Sequence, residues 1–277
     1  MTSAPLLHLG HRFAIDSWNF EPTVVSGAFI ILTFYAYFAV RQEGGVNWAR
    51  ALSFYTGSVI MLMGLVSPLH AGADRLLSFH MLQHVLLTTI GPPLVVVGLT
   101  YQMLEPLRRP GLLSEAARVL SNPVVAAMIF TVNMWFWHVP PLYQLAIDRD
   151  TVHATMHIAF MGVGILYWWP VLQATPTKLS EGGRLMYLFV TGMPMGFLAL
   201  LLIATNSVIY PHYDTTERLL GLSPIEDQQI AGVIMGALGE FAGFIAITLL
   251  FFRYIDHEGQ DEPQRGRDGL PIRETAP

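Results

Sequence analysis

The sequence predicts an all-α fold, a polytopic membrane helical bundle of seven transmembrane helices with its N-terminus outside and its C-terminus inside. Three observations carry that expectation. Of 277 residues 53% are hydrophobic and only 13% charged, against roughly 25% charged in a soluble domain. Seven apolar stretches approach the ~20 residues a helix needs to cross the hydrocarbon core. Eleven of the 15 lysines and arginines fall on one side of the resulting topology, and cytoplasmic loops carry that excess.

The spans follow in order. The first, 23–40, ends at Arg41, and the second, 51–69, runs from Arg50 to His70. The third, 79–99, opens on His80 and His84 and is interrupted by Gly91, Pro92 and Pro93. The fourth, 123–139, follows Arg108, Arg109 and Arg118 and closes on His138. The fifth, 152–172, opens on His153 and His157, and the sixth, 185–205, carries Gly192, Pro194 and Gly196. The seventh, 228–252, starts after Asp227, contains Glu240 and ends at Arg253. Proline removes a ladder donor and clashes one turn back, so spans three and six are expected to kink. Trp48, Trp168 and Trp169 fall at the inner boundary and Trp18, Trp135 and Trp137 near the outer one, as amphipathic rings at headgroup depth should.

Residues 1–22 read as an extracytoplasmic segment, 23–253 as the seven-helix membrane domain and 254–277 as a disordered cytoplasmic tail, polar and rich in Pro and Gly. The opening MTSAPLLHLGHRF lacks the pattern of a cleaved signal, so the first span is expected to serve as the insertion signal. A net charge of −5 without a basic stripe argues against nucleic acid. The absence of cysteine removes disulfides, thiolate metal sites and thiol nucleophiles. A metal must then use His, Met, carboxylate or backbone oxygen.

The topology places nine of ten histidines on the outer side, leaving only His257 inside. His80 and His84 share one helix face, as do His153 and His157, because residues four apart are neighbours on a helix. Both HxxxH pairs open helices that enter from the same side, so two helices present four imidazoles at matching depth. Neutral imidazole is the commonest protein metal ligand; the alternative is a structural hydrogen-bonding role. His70, His138 and His212 are secondary candidates. Met81 and Met156 sit beside the pairs and Met193 and Met195 flank Pro194. Thioether with imidazole suits copper, especially Cu(I), although methionine is more often packing filler. Zinc and a bis-His haem remain open by ligand type. Asp227 reads either as the cap of its own helix or as an acidic partner orienting a histidine. Glu240, an intramembrane carboxyl, is functional or a protonated structural partner.

Several blocks carry a family resemblance: HMLQHVLLTTIGPPLVVVG, WHVPPLYQLAI, HATMHIAFMGVGILYWWPVL, SVIYPHY and DQQIAGVIMG. Together, across roughly residues 60 to 250, they resemble the seven-span CtaG family of cytochrome c oxidase assembly proteins. The resemblance implies a multi-pass protein of the bacterial inner (plasma) membrane that matures an oxidase by handling copper on the extracytoplasmic side. Its partners would be oxidase subunits, copper-handling proteins and the lipid bilayer. The matching positions are His80, His84, Trp137, His138, His153, His157, Asp227 and Gln228; Gly236 stands where the family commonly has Trp. With no acid, base and nucleophile constellation the chain is expected not to be an enzyme. The rivals are a bis-His haem electron-transfer protein, a membrane di-metal oxidase and, third, a transporter.

Overall fold

The computed structural model describes residues 17–42, 44–173, 179–216 and 219–261, and among them every regular element is helical. Helices α1 (Pro22–Val40) and α2 (Trp48–Val66) form an antiparallel pair, α2 starting under an Asn47 cap that accepts from the Arg50 N–H. The short α3 (Pro68–Ala73) turns the chain into the third span. That span is composite: α4 (Leu77–Val85), a π-bulge over Leu86–Ile90, then α5 (Gly91–Gly98). Pro92 and Pro93 explain the break, since neither can donate back and each crowds the preceding turn. Thus the expected interruption of span three is present, as a π-bulge.

After the loop come α6 (Leu112–Leu120) and α7 (Pro123–His138), bent by 70° to one another. Asn122 caps α7 by accepting from the N–H groups of Val124 and Val125. Helix α8 (Pro140–Asp148) leads into α9 (Asp150–Leu172), and α10 (Glu181–Ala204) carries Pro194 without a break. The one-turn α11 (His212–Thr215) precedes α12 (Pro224–Val233), a second π-bulge over Ile234–Leu238 and α13 (Gly239–Asp261). Helix α13 passes beyond residue 254, where the sequence reading starts its tail, and 262–277 lie outside the described residues, as do His8 and His11.

Among the described residues six helices, counting the composite third and last spans as one each, are long and apolar enough to cross a membrane; a seventh requires α6 and α7 taken together. Helix α7 has 16 residues, about 24 Å at 1.5 Å per residue, short of the ~30 Å hydrocarbon core. Span three is the axis of the bundle, 67% buried against 11% for α1. It is held at van der Waals limits: a Cβ on Gly57 would lie 2.6 Å from the Gly91 carbonyl, and one on Gly164 of α9 would lie 2.5 Å from the Thr88 carbonyl. Small residues let apolar helices approach where lipid supplies no hydrophobic driving force. At the periphery Tyr35 of α1 stacks on Phe54 at 3.9 Å and its hydroxyl donates to the Gly98 carbonyl.

Chain direction gathers the end of α2, the starts of α4 and α9, the end of α7 and the start of α12 at one end of the bundle. Asn19, just before α1, joins them there, because its N–H donates to the Val66 carbonyl at 2.8 Å. Arg50 marks the opposite end, where its guanidinium bonds the Val97 and Leu99 carbonyls. Two expected headgroup tryptophans are instead core residues: Trp168 and Trp137 are buried, because both belong to the main hydrophobic core between the helices. Trp18 and Trp48 are exposed.

Candidate metal centre

The two HxxxH pairs meet. Within each pair the ring centroids lie 4.3 Å apart for His80 and His84, and 4.4 Å for His153 and His157. Across the helices His80 stacks on His153 at 5.4 Å, and His84 meets His157 edge-on at 5.6 Å. His70 of α3 joins the far side, 6.3 Å from His153 and 6.5 Å from His157. The α-helical repeat sets the pairs within each helix; Gly164, by bringing α9 onto span three, sets the distance between them. His80, His84 and His157 are buried.

Hydrogen bonding decides which ring nitrogens are free. The His138 Nδ1 lies 2.7 Å from the Met134 carbonyl. A carbonyl only accepts, so Nδ1 carries the proton and Nε2 keeps its lone pair. The Gln83 amide nitrogen donates to the Gly64 carbonyl at 2.8 Å and reaches the His70 Nδ1 at 3.0 Å. His70 therefore accepts on Nδ1, and that lone pair is spent. The Tyr213 hydroxyl donates to the Ala73 carbonyl at 3.0 Å and lies 3.2 Å from the His80 Nδ1. Its single proton being used, it accepts from His80 Nδ1–H, which leaves His80 Nε2 as the lone-pair nitrogen. The Nε2 atoms of His80, His84, His138, His153 and His157 are all buried without a hydrogen-bond partner, as is the His84 Nδ1. Each such orphan costs about 1–3 kcal/mol.

A phenol layer supports the cluster. The Tyr143 and Tyr213 hydroxyls bond at 2.9 Å, and Tyr210 donates to the His138 carbonyl at 2.9 Å. Burial pushes the Tyr143 and Tyr213 phenols above their ordinary range, so they remain neutral hydrogen-bonding partners. Gln228 fastens this layer by accepting from the Ile209 N–H and donating to the Ser207 carbonyl.

The profile of the cytochrome c oxidase caa3 assembly factor family (Caa3_CtaG) matches residues 32–257. The chain belongs to that family. The family is one of cytochrome c oxidase assembly factors, and the match covers every helix described above except the first half of α1 and the last turn of α13. An uncharacterized protein of Mycobacterium bovis is 26% identical over 254 residues, covering 84% of this chain and 38% of its own length. An uncharacterized protein of Mycobacterium leprae is 24% identical over 258 residues, covering 86% of this chain and 39% of its own. The chain thus spans about two fifths of the length of the curated relatives it matches. No solved structure matches it.

Set on this caa3 assembly factor fold, the candidate residues separate. His80, His84, His153 and His157 come together, with His70 at their edge. His138 turns toward His84 across a small cavity that both line, and Met81 lines it too. His212 stands apart, its Nε2–H donating to the Asp74 carbonyl at 2.9 Å. Met156 is fully buried in the hydrophobic core. Asp227 neither caps its own helix nor touches a histidine in the bonds it makes. Ser223 and Glu226 form the capping box of α12, while Asp227 accepts from Leu77 N–H at 2.6 Å, Ser78 N–H at 3.1 Å and the Ser78 hydroxyl. It caps α4 from across the bundle, because the N-cap position there is Leu76, which has no side-chain acceptor.

The donor chemistry fits a metal, since six buried imidazole nitrogens on five histidines have no hydrogen-bond partner. Their arrangement is not yet a coordination sphere: among the described residues no three His, Asp or Glu side chains converge to hold an ion as they lie. Binding requires the rings to turn about their side-chain torsions. Sequence reasoning missed Gln83, Tyr143 and Tyr213. Gln83 sits in plain view inside HMLQH, but Tyr213 reaches His80 from 133 residues away, and no local pattern reports that.

Proposed function

We propose that this caa3 assembly factor holds copper as cargo at the extracytoplasmic face of the bacterial inner membrane and passes it on during maturation of the oxidase. The observation that carries the proposal is the meeting of four imidazoles on α4 and α9 whose Nε2 atoms are buried and unpartnered. The orientation rests on charge: with Arg50 and its basic neighbours inside, the N-terminus and the cluster lie outside. In that orientation the seven-span reading counts α6 and α7 as one bent crossing. Partners are oxidase subunits and copper-handling proteins.

Binding and release, rather than turnover, suit the donor set. The imidazoles are neutral, and Asp227 spends its carboxylate on α4, so nothing in the cluster cancels the charge of a bound ion. Uncompensated charge in a low-dielectric site is costly, which favours a monovalent ion and easy release. Tyr213 orients His80, as outer partners of ligating histidines do. The small cavity beside the rings, about 10 Å³, favours an ion over a haem macrocycle.

Metal analysis of purified protein tests this beside a variant with His80, His84, His153 and His157 replaced by Ala. Copper should co-purify or load stoichiometrically with the native chain and be lost from the variant. Equal metal in both would overturn the four-histidine site, and a Soret band in the purified protein would replace copper with haem.

A further inference from the structure

One turn further along α4 than His80, away from the end where the imidazoles cluster, lies a cavity of about 10 Å³, room for one water-sized occupant. Its wall is built from four thioethers on separate segments. Met81 comes from α4, Met134 from α7, Met195 from α10 and Met235 from the π-bulge that joins α12 to α13. All four are buried. His84 and His138 line the cavity too, with unpartnered Nε2 atoms, beside Val85, Thr88 and Thr89.

Packing filler would close such a void, since methionine has three rotatable bonds with which to do it. Here the fold does the reverse. Gly239 leaves space for the Met195 methyl, which any Cβ at that position would strike. Met193, two residues away on the same helix, faces outward and is exposed. Both π-bulges among the described residues flank the cavity: Met235 lies within one, Thr88 and Thr89 within the other. Such bulges give up ladder regularity to re-aim side chains and recur at functional sites.

We propose that this chamber is a second, soft-cation site, taking a monovalent d¹⁰ ion such as Cu(I) on thioether sulfur and imidazole nitrogen. Soft, neutral ligands select such an ion over Zn(II), and no anionic side chain lines the cavity. His84 belongs to both sites. It neighbours His80 and His157, it lines the chamber, and neither of its ring nitrogens has a hydrogen-bond partner. It is the residue through which an ion moves between the imidazole cluster and the methionines. The identity of the physiological ion rests on the copper reading above; the existence of a sulfur-lined site does not.

The test is X-ray absorption of the full chain in detergent, loaded anaerobically with Cu(I) or with Ag(I) as a redox-inert stand-in, and separately with Zn(II). The native chain should show sulfur as well as nitrogen neighbours around Cu(I) and Ag(I), and nitrogen alone around Zn(II). Replacing Met81, Met134, Met195 and Met235 by Leu nearly conserves volume; that variant should lose the sulfur signal and one equivalent of Ag(I) while keeping Zn(II). A His80→Ala, His153→Ala, His157→Ala variant, which spares His84, should lose Zn(II) and retain sulfur-bound Ag(I). Nitrogen-only spectra from the native chain with Cu(I) and Ag(I) would overturn the chamber, and this result needs no variant to fold. If the histidine variant kept its Zn(II) while sulfur still surrounded Ag(I), the imidazole cluster would fall and the chamber would stand.

Discussion

Asp227→Ala isolates the cross-bundle cap. The substitution removes the acceptor for two backbone N–H groups and one hydroxyl at the buried start of α4. A hydrogen bond to a charged group contributes roughly 1.5–3 kcal/mol, and a buried donor left unpaired costs about 1–3 kcal/mol. Because the three donors share one carboxylate and the helix end can relax, the sum is not additive; a total of roughly 3 kcal/mol is expected. At about 2–4 °C per kcal/mol for a chain of this size, the melting temperature in detergent should fall by roughly 6–12 °C. Asp227→Asn keeps one acceptor oxygen and should recover about half of the loss. Glu226→Ala, at the exposed capping box next door, is the control and should move the melting temperature much less. Copper affinity should fall together with stability in Asp227→Ala, because a loosened α4 start displaces His80 one turn on. Complete loss of copper with an unchanged melting temperature would refute the reasoning and make Asp227 a ligand.

Other consequences can be checked alongside. Gly164→Ala drives a methyl to within 2.5 Å of the Thr88 carbonyl, so it should destabilise by about 1–3 kcal/mol and separate the two histidine pairs, with lowered copper loading at constant expression. Tyr213→Phe leaves the His80 Nδ1 and the Ala73 carbonyl without their shared partner; copper affinity should drop roughly 10–100-fold with the helix content unchanged in circular dichroism. The same phenol predicts an alkaline limit. Burial raises Tyr213 above its ordinary value of 10.0, so between the unfolded and folded values only the folded chain holds that proton. The Tyr213 contribution to stability should be constant below about pH 10 and fall as pH rises beyond it, with a shallower fall in Tyr213→Phe; an identical alkaline slope in both proteins would remove Tyr213 from the account.

How much of this was legible beforehand depends on the range over which each cause acts. Membrane helices are announced by apolar length, a property of contiguous residues, and the bundle confirms the helical class while leaving α7 short. The HxxxH pairs are likewise local, since the helical repeat alone puts residues four apart on one face. Span three's break was readable in Gly91, Pro92 and Pro93. The bulge at Ile234–Leu238 was not, having no proline to mark it. Nor were the burial of Trp137 and Trp168 or the role of Gln83, whose amide ties His70 to the Gly64 carbonyl.

The sequence by itself determined the helices, the two pairs and their placement at helix starts on one end of the bundle. Only the tertiary structure decided that Asp227 serves α4 rather than α12, that His70 spends its lone pair on Gln83, and that four methionines scattered from Met81 to Met235 surround one void. Helical periodicity is dictated by backbone geometry within a few residues. Capping in trans, tautomer choice and a shared cavity depend on atoms brought together by helix packing, at sequence separations that no local pattern encodes.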